Sequence, residues 1–212
     1  VDASKNSVTR LFDFFAWLRF RRPGLKKYSL FLIPPSLVAT GYLKAPPHHF
    51  GVVRSRFWDW PTVPPLQAAG GIPQRCVERV NAAKSWAETD EIDFYYRQKR
   101  VKEEQAQEFS QRAEKRYATL DSLIDELRVS GRLRTRKEFE PRSFREKGGI
   151  GIVVNEGGSV SVCDGHHRFG IALALNLTEI PVALYAVHPS FAKSQGWLDF
   201  CAQYSRARGL GA

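Results

Sequence analysis

The sequence predicts an α/β (α+β) protein: a small mixed sheet with flanking helices, preceded by a helical and aromatic extension. Three observations predict it. Apolar, β-branched runs at 150–154, 160–163 and 180–187 are separated by a helix-period run at 166–175. The first two runs are joined by Asn155-Glu156-Gly157-Gly158, whose residues suit a tight hairpin turn. Finally, 43% of the 212 residues are hydrophobic, enough to bury a full core. Three parts are expected: an extension over 1–115, a core over 116–190 and a C-terminal helix over 191–212 that packs on the core.

In chain order, residues 7–22 read as a helix. Leu11, Phe12, Phe14, Phe15, Trp17, Leu18 and Phe20 give it a wide aromatic face, flanked by Arg10, Arg19, Arg21 and Arg22. Such a helix suits an anionic membrane surface or a partner protein as well as the core. Pro23-Gly24 ends it. Residues 29–33 are a strand stopped by Pro34-Pro35, and 37–43 a second apolar segment. His48-His49 sits in a proline-rich loop, where paired histidines are solvated turn residues more often than metal ligands. A strand at 51–60 runs into Trp58-Asp59-Trp60, and 61–73 is read as extended. A helix over 74–84 leads to Trp86-Ala87-Glu88-Thr89 and to Ile92, Phe94, Tyr95 and Tyr96. Residues 99–116 form a largely solvated charged helix. The helix at 119–129 is anchored by Leu120, Leu123, Ile124 and Leu127 and stopped by Gly131. A basic loop over 132–147 precedes the hairpin, and a last helix over 191–208 closes the chain.

The formal charge of +10 points to anionic partners such as nucleotides, phosphorylated metabolites, acidic lipid headgroups or nucleic acid. Cys76, Cys163 and Cys201 have no metal-ligand spacing, which favours a reducing compartment without a disulfide framework. The longest apolar run, 28–43, is broken by Pro34-Pro35 and falls short of the ~20 residues that span a bilayer. No signal-peptide pattern opens the chain, and the absence of methionine even at position 1 reads as a processed or trimmed start. The expectation is a cytoplasmic protein, either free or peripheral to a membrane through its first helix.

The chemistry concentrates at Asp164-Gly165-His166-His167-Arg168, between a strand and a helix. Gly165 gives the turn backbone freedom, and the first N–H groups of the helix have no intrahelical partners. Those donors, the positive end of the helix dipole and Arg168 describe a phosphate pocket. His166 and His167 are candidate catalytic groups and phosphate donors, one of them protonated near neutral pH. Asp164 has two readings: a carboxylate that holds Mg²⁺ or takes a hydroxyl proton, or a plain helix cap. Glu138, Glu140 and Glu156 are candidate second carboxylates. His188, at the end of the last strand, is expected at the same sheet edge as a substrate contact.

With those residues in view, the order helix, Gly131, strand, Gly-rich turn, strand, D-G-H-H-R, helix, I-P-V strand resembles the ParB/sulfiredoxin-like fold over about a third of the chain. Members carry Gly-x-x-Arg at a strand-to-helix turn that binds nucleotide phosphates; Gly165 and Arg168 match it. More narrowly, the chain is similar to ParB-like proteins of surface-polysaccharide gene sets. They are matched by Trp58-Asp59, Trp86-Ala87-Glu88-Thr89, Arg112, Arg116 and Val187-His188, with Val187 replacing the usual arginine. The resemblance implies phosphate contacts from Arg112 and Arg116. From the residues themselves, Asp59 is placed to orient an arginine, and Asp59 and Glu140 join His188 as candidate substrate contacts.

Within that superfamily, sulfiredoxins place a cysteine where this chain has His166, so redox chemistry is not expected. Partitioning proteins continue into a helix-turn-helix domain, for which residues 189–212 are too few. Free-serine kinases, which use an Asp-Gly-x-x-Arg loop with nucleotide and magnesium, are the nearest chemically. The resemblance therefore implies a Mg²⁺-dependent kinase that uses ATP or another nucleotide on a sugar or amino-acid hydroxyl. A non-catalytic nucleotide-binding scaffold and a basic nucleic-acid-binding module are the alternatives.

Overall fold

A computed structural model describes residues 29–42, 62–99, 105–139 and 149–205. The aromatic segment 7–22, His48-His49, Asp59, Glu140 and the basic stretch 140–148 lie outside the described residues.

Among the described residues the strands are β1 (Leu30–Ile33), β2 (Val38–Tyr42), β3 (Thr62–Val63), β4 (Ile150–Val154), β5 (Val160–Asp164) and β6 (Ile180–Val187). They form one mixed sheet in the order β1-β6-β4-β5-β2-β3. The hairpin β4–β5 is antiparallel, and its turn closes by Gly158 N–H to the Asn155 carbonyl at 3.1 Å. β6 runs parallel to β4, and β2 parallel to β5. β4 is buried along its whole length, as a central strand flanked on both sides requires.

The helices are α1 (Ala68–Asn81), α2 (Glu91–Lys99), α3 (Ala106–Ser130), α4 (Arg136–Phe139), α5 (His166–Ala174), α6 (Pro189–Lys193) and α7 (Gln195–Tyr204). α5 is apolar over most of its surface because it lies in the core, packed chiefly on α1. Gly170 makes the crossing possible: a Cβ there would stand 2.6 Å from Pro73 Cα and 2.8 Å from Cys76 Cβ. The main core gathers Ile33, Ile152, Val162, Phe169, Ile171, Leu184 and Trp197 from sheet and helices. Val153, Cys163 and Ala186 form a smaller buried group with Tyr42.

Several expectations need correction. The N-terminal part is no separate extension: β1, β2 and β3 supply half the strands of the sheet, and the expected boundary at 115/116 falls inside α3. The stretch 61–73 is extended only at its start. α1 opens with a left-handed turn at Ala69, Gly70 and Gly71, with φ of 50, 78 and 83°. Its right-handed turns begin at Ile72, so Pro73 sits in the first turn, where its missing N–H is not needed. The expected solvated and anchored helices are one continuous α3, ended as expected by Gly131 at φ 65°. The basic loop contains the single turn α4. Its capping box pairs Glu138 N–H with Thr135 Oγ1 at 3.4 Å and Thr135 N–H with Glu138 Oε2 at 2.6 Å. The last helix is two, broken at Ser194, whose hydroxyl accepts from Trp197 N–H at the start of α7. No helix of the described residues is long and apolar enough to cross a membrane.

Candidate functional site

β5 and β2 run parallel, so their carboxyl ends share one sheet edge, and the Asp164–Arg168 turn stands there. Gly165 has φ 69°, and a Cβ on it would meet the Gly149 carbonyl oxygen at 2.7 Å and Ile150 Cα at 2.9 Å. Both its conformation and the close approach of the β4 backbone require glycine. The turn opens α5 into a cleft of about 410 Å³ bordered by α1, α2, α3 and the turn itself, within the range of small-molecule sites.

His167 is held at both of its ring nitrogens. Its Nε2 lies 2.7 Å from Glu91 Oε1, and its Nδ1 3.3 Å from an Arg116 guanidinium nitrogen. A guanidinium only donates, so Nδ1 accepts and the proton sits on Nε2, donating to Glu91. Trp86 and Tyr117 wall the ring, with centroids at 6.3 and 6.4 Å. Glu91 is almost fully buried, 1% exposed, at the start of α2. Its Oε1 also accepts from the Tyr117 hydroxyl at 3.4 Å, and Arg75 reaches its Oε2 at 3.5 Å. Burial and the adjacent Glu91 carboxylate push the Tyr117 phenol up, so it stays a donor.

Its neighbour is treated differently. His166 is buried, and its Nε2 has no hydrogen-bond partner. Burial pushes this imidazole down to about 4, against a smaller upward pull from Asp164 and a further downward push from His167. It is therefore neutral near pH 7, and of the two histidines it is not the protonated donor.

Asp164 is exposed at the rim. Its Oδ1 accepts from Gly165 N–H and its Oδ2 from the Tyr185 hydroxyl, both at 2.8 Å. It does not cap α5: Gly165 is the N-cap residue, and no side chain caps the helix. Arg168 and Arg116 both line the cleft, and Arg116 also lies over the Tyr95 ring at 5.1 Å.

Other expected residues stand elsewhere. Arg112 is exposed and paired with Glu108 one turn along α3, outside the cleft lining. His188 is at the opposite edge of the sheet. Asp164 pairs with Gly151 at the start of β4, whereas His188 N–H bonds Val154 O at its end, because β6 runs antiparallel to β5 in direction. There His188 Nδ1 caps α6 by accepting from Ser190 N–H at 3.3 Å, and Glu156 lies 4.0 Å away. That removes both from the cleft. Glu138 spends its oxygens on Thr135 N–H and on Arg132, at 2.8 Å. Partial burial opposes its ionisation, yet these two partners hold its carboxyl down at about 2. All three thiols are buried and pushed up by burial, which leaves no thiolate nucleophile among them.

The sequence reading missed Glu91, Arg75, Tyr117 and Tyr185. An acid in the first turn of a short helix complements the helix dipole wherever it occurs, so Glu91 carried no distinguishing signal. No family model, no curated protein and no solved structure matches the chain.

Proposed function

We propose that the cleft binds the phosphates of a nucleotide and that the protein is a nucleotide-dependent phosphotransferase acting on a small hydroxyl compound. The observation that carries this is the convergence at the α5 N-terminus: Arg168, Arg116 and the open helix N–H groups all border one cleft. Phosphoryl transfer asks a protein mainly for charge neutralisation and positioning, which this set supplies. The Gly165-x-x-Arg168 turn is also what the likeness to ParB/sulfiredoxin-like proteins rests on.

Among the described residues no three His, Cys, Asp or Glu side chains group as a protein metal cage does. A Mg²⁺ ion fits here only as the partner of a bound nucleotide, held by its phosphates with Asp164 as the protein carboxylate. When bound, it would neutralise phosphate charge. His166 is neutral near pH 7, so the positive charge in the cleft comes from Arg168 and Arg116.

The test is titration calorimetry with ATP, ADP and CTP, with and without Mg²⁺, backed by thermal shift. Binding to the wild type and its loss in Arg168→Ala is the expected result. Equal binding by both proteins, or none by either, removes the reading.

A further inference from the structure

Each ring nitrogen of His167 is held by a charged group, but the two grips differ. Glu91 is buried and fixed by Tyr117 and Arg75 as well as by His167. Arg116 lies on the exposed side of α3, and its contact with Nδ1 is a single long one at 3.3 Å. A carboxylate behind one imidazole nitrogen fixes ring and tautomer and leaves the other nitrogen as a lone-pair base. The neutral Nδ1 is a weaker partner for a guanidinium than a phosphate, which accepts two parallel charge-assisted bonds.

We propose that His167, oriented by Glu91, takes the proton of the acceptor hydroxyl, and that Arg116 covers Nδ1 until a polyphosphate draws the guanidinium away. This rests on the phosphotransferase reading above and names its base. In the step, the hydroxyl oxygen forms a bond to the terminal phosphorus of a nucleoside triphosphate. The bond from that phosphorus to the bridging oxygen breaks, and its electron pair leaves with the nucleoside diphosphate. The hydroxyl proton passes to His167 Nδ1. The resulting imidazolium keeps its Nε2–H on the Glu91 carboxylate and returns the proton to solvent as products leave. Glu91 is here a positioning residue, and His167 the catalytic one. Arg116 links the two events: the nitrogen is uncovered when phosphate is present to be transferred.

The competing account is structural, with Glu91 and His167 tying α2 to α5 and Arg116 a bystander. Long-range proton–nitrogen NMR of the full chain labelled in histidine separates them. In the free wild type, His167 must show the Nε2-protonated tautomer. Saturating ATP must move its Nδ1 resonance, and Arg116→Ala, an exposed change, must move it without ATP. Glu91→Gln must mix the tautomers. A proton on Nδ1 in the free protein, or an Nδ1 resonance unchanged by Arg116→Ala, overturns the proposal. ATP binding with Arg168-dependent heat but an unmoved Nδ1 resonance also overturns it while leaving the nucleotide reading in place. No binding heat removes both.

Discussion

Replacing His166 with leucine isolates what the buried imidazole contributes to folding and to its pH dependence. In the folded chain burial holds this group at about 4, against an ordinary 6.5. The folded value is depressed, so above about pH 6.5 both states are neutral and no stability is lost. As pH falls from there toward 4 the unfolded chain takes up a proton that the folded chain refuses, and stability drops; below 4 the loss levels off. The full shift corresponds to roughly 3 kcal/mol, of which about 2 kcal/mol is lost by about pH 5. His166→Leu removes this term. It also removes a buried nitrogen without a partner, a defect of roughly 1 kcal/mol, so the variant should be at least as stable as the wild type near neutral pH. The assay is urea unfolding of both proteins at about pH 7 and about pH 5, accepting only pairs with equal m-values. The wild type should lose about 2 kcal/mol more than the variant between the two conditions. Equal losses would refute the reasoning, because they would mean that His166 is solvated in the folded state.

Three further expectations follow from the packing. Gly165→Ala and Gly131→Ala both force a left-handed alanine, costing about 1 kcal/mol. Only the Gly165 change also drives a Cβ into the β4 backbone, whereas Gly131 has nothing within 4 Å, so Gly165→Ala should cost about 1–3 kcal/mol more by chemical denaturation. Glu91→Ala strips the acceptor from His167 Nε2–H and the Tyr117 hydroxyl inside the core and should cost about 3–5 kcal/mol, read as a lowered unfolding midpoint. His188→Ala, at the far edge of the sheet, should leave nucleotide binding by calorimetry unchanged while loosening α6.

The C-terminal half was legible because local chemistry decides it. The hairpin turn at Asn155–Gly158, the glycine before His166 and the apolar runs of β4, β5 and β6 each act over a few residues, and the structure places those elements as read. Where the sequence misled, the deciding contact was distant. Asp121 reads as a polar-face residue, yet its Oδ1 accepts from Trp86 Nε1 at 2.9 Å and from Arg79 at 3.1 Å, bolting α3 to α1 and to the segment before α2. β1 and β2 pair with β6 and β5, more than a hundred residues later. The placement of His188 followed from treating every strand end as the same edge. β4 and β6 run opposite to β5 and β2, so the end of β6 lies at the edge opposite the end of β5.

Adjacent histidines make the same point at the scale of the site. His166 and His167 are identical to any reading of composition or spacing, but consecutive helix residues point about 100° apart. One is buried and keeps an unpartnered nitrogen; the other meets Glu91, 76 positions away in sequence, and Arg116. Their chemistry is thus assigned by what α2 and α3 bring to the first turn of α5. The enclosed, unpartnered nitrogen of His166 costs the protein stability, whereas both His167 nitrogens are held by charged groups that line the cleft.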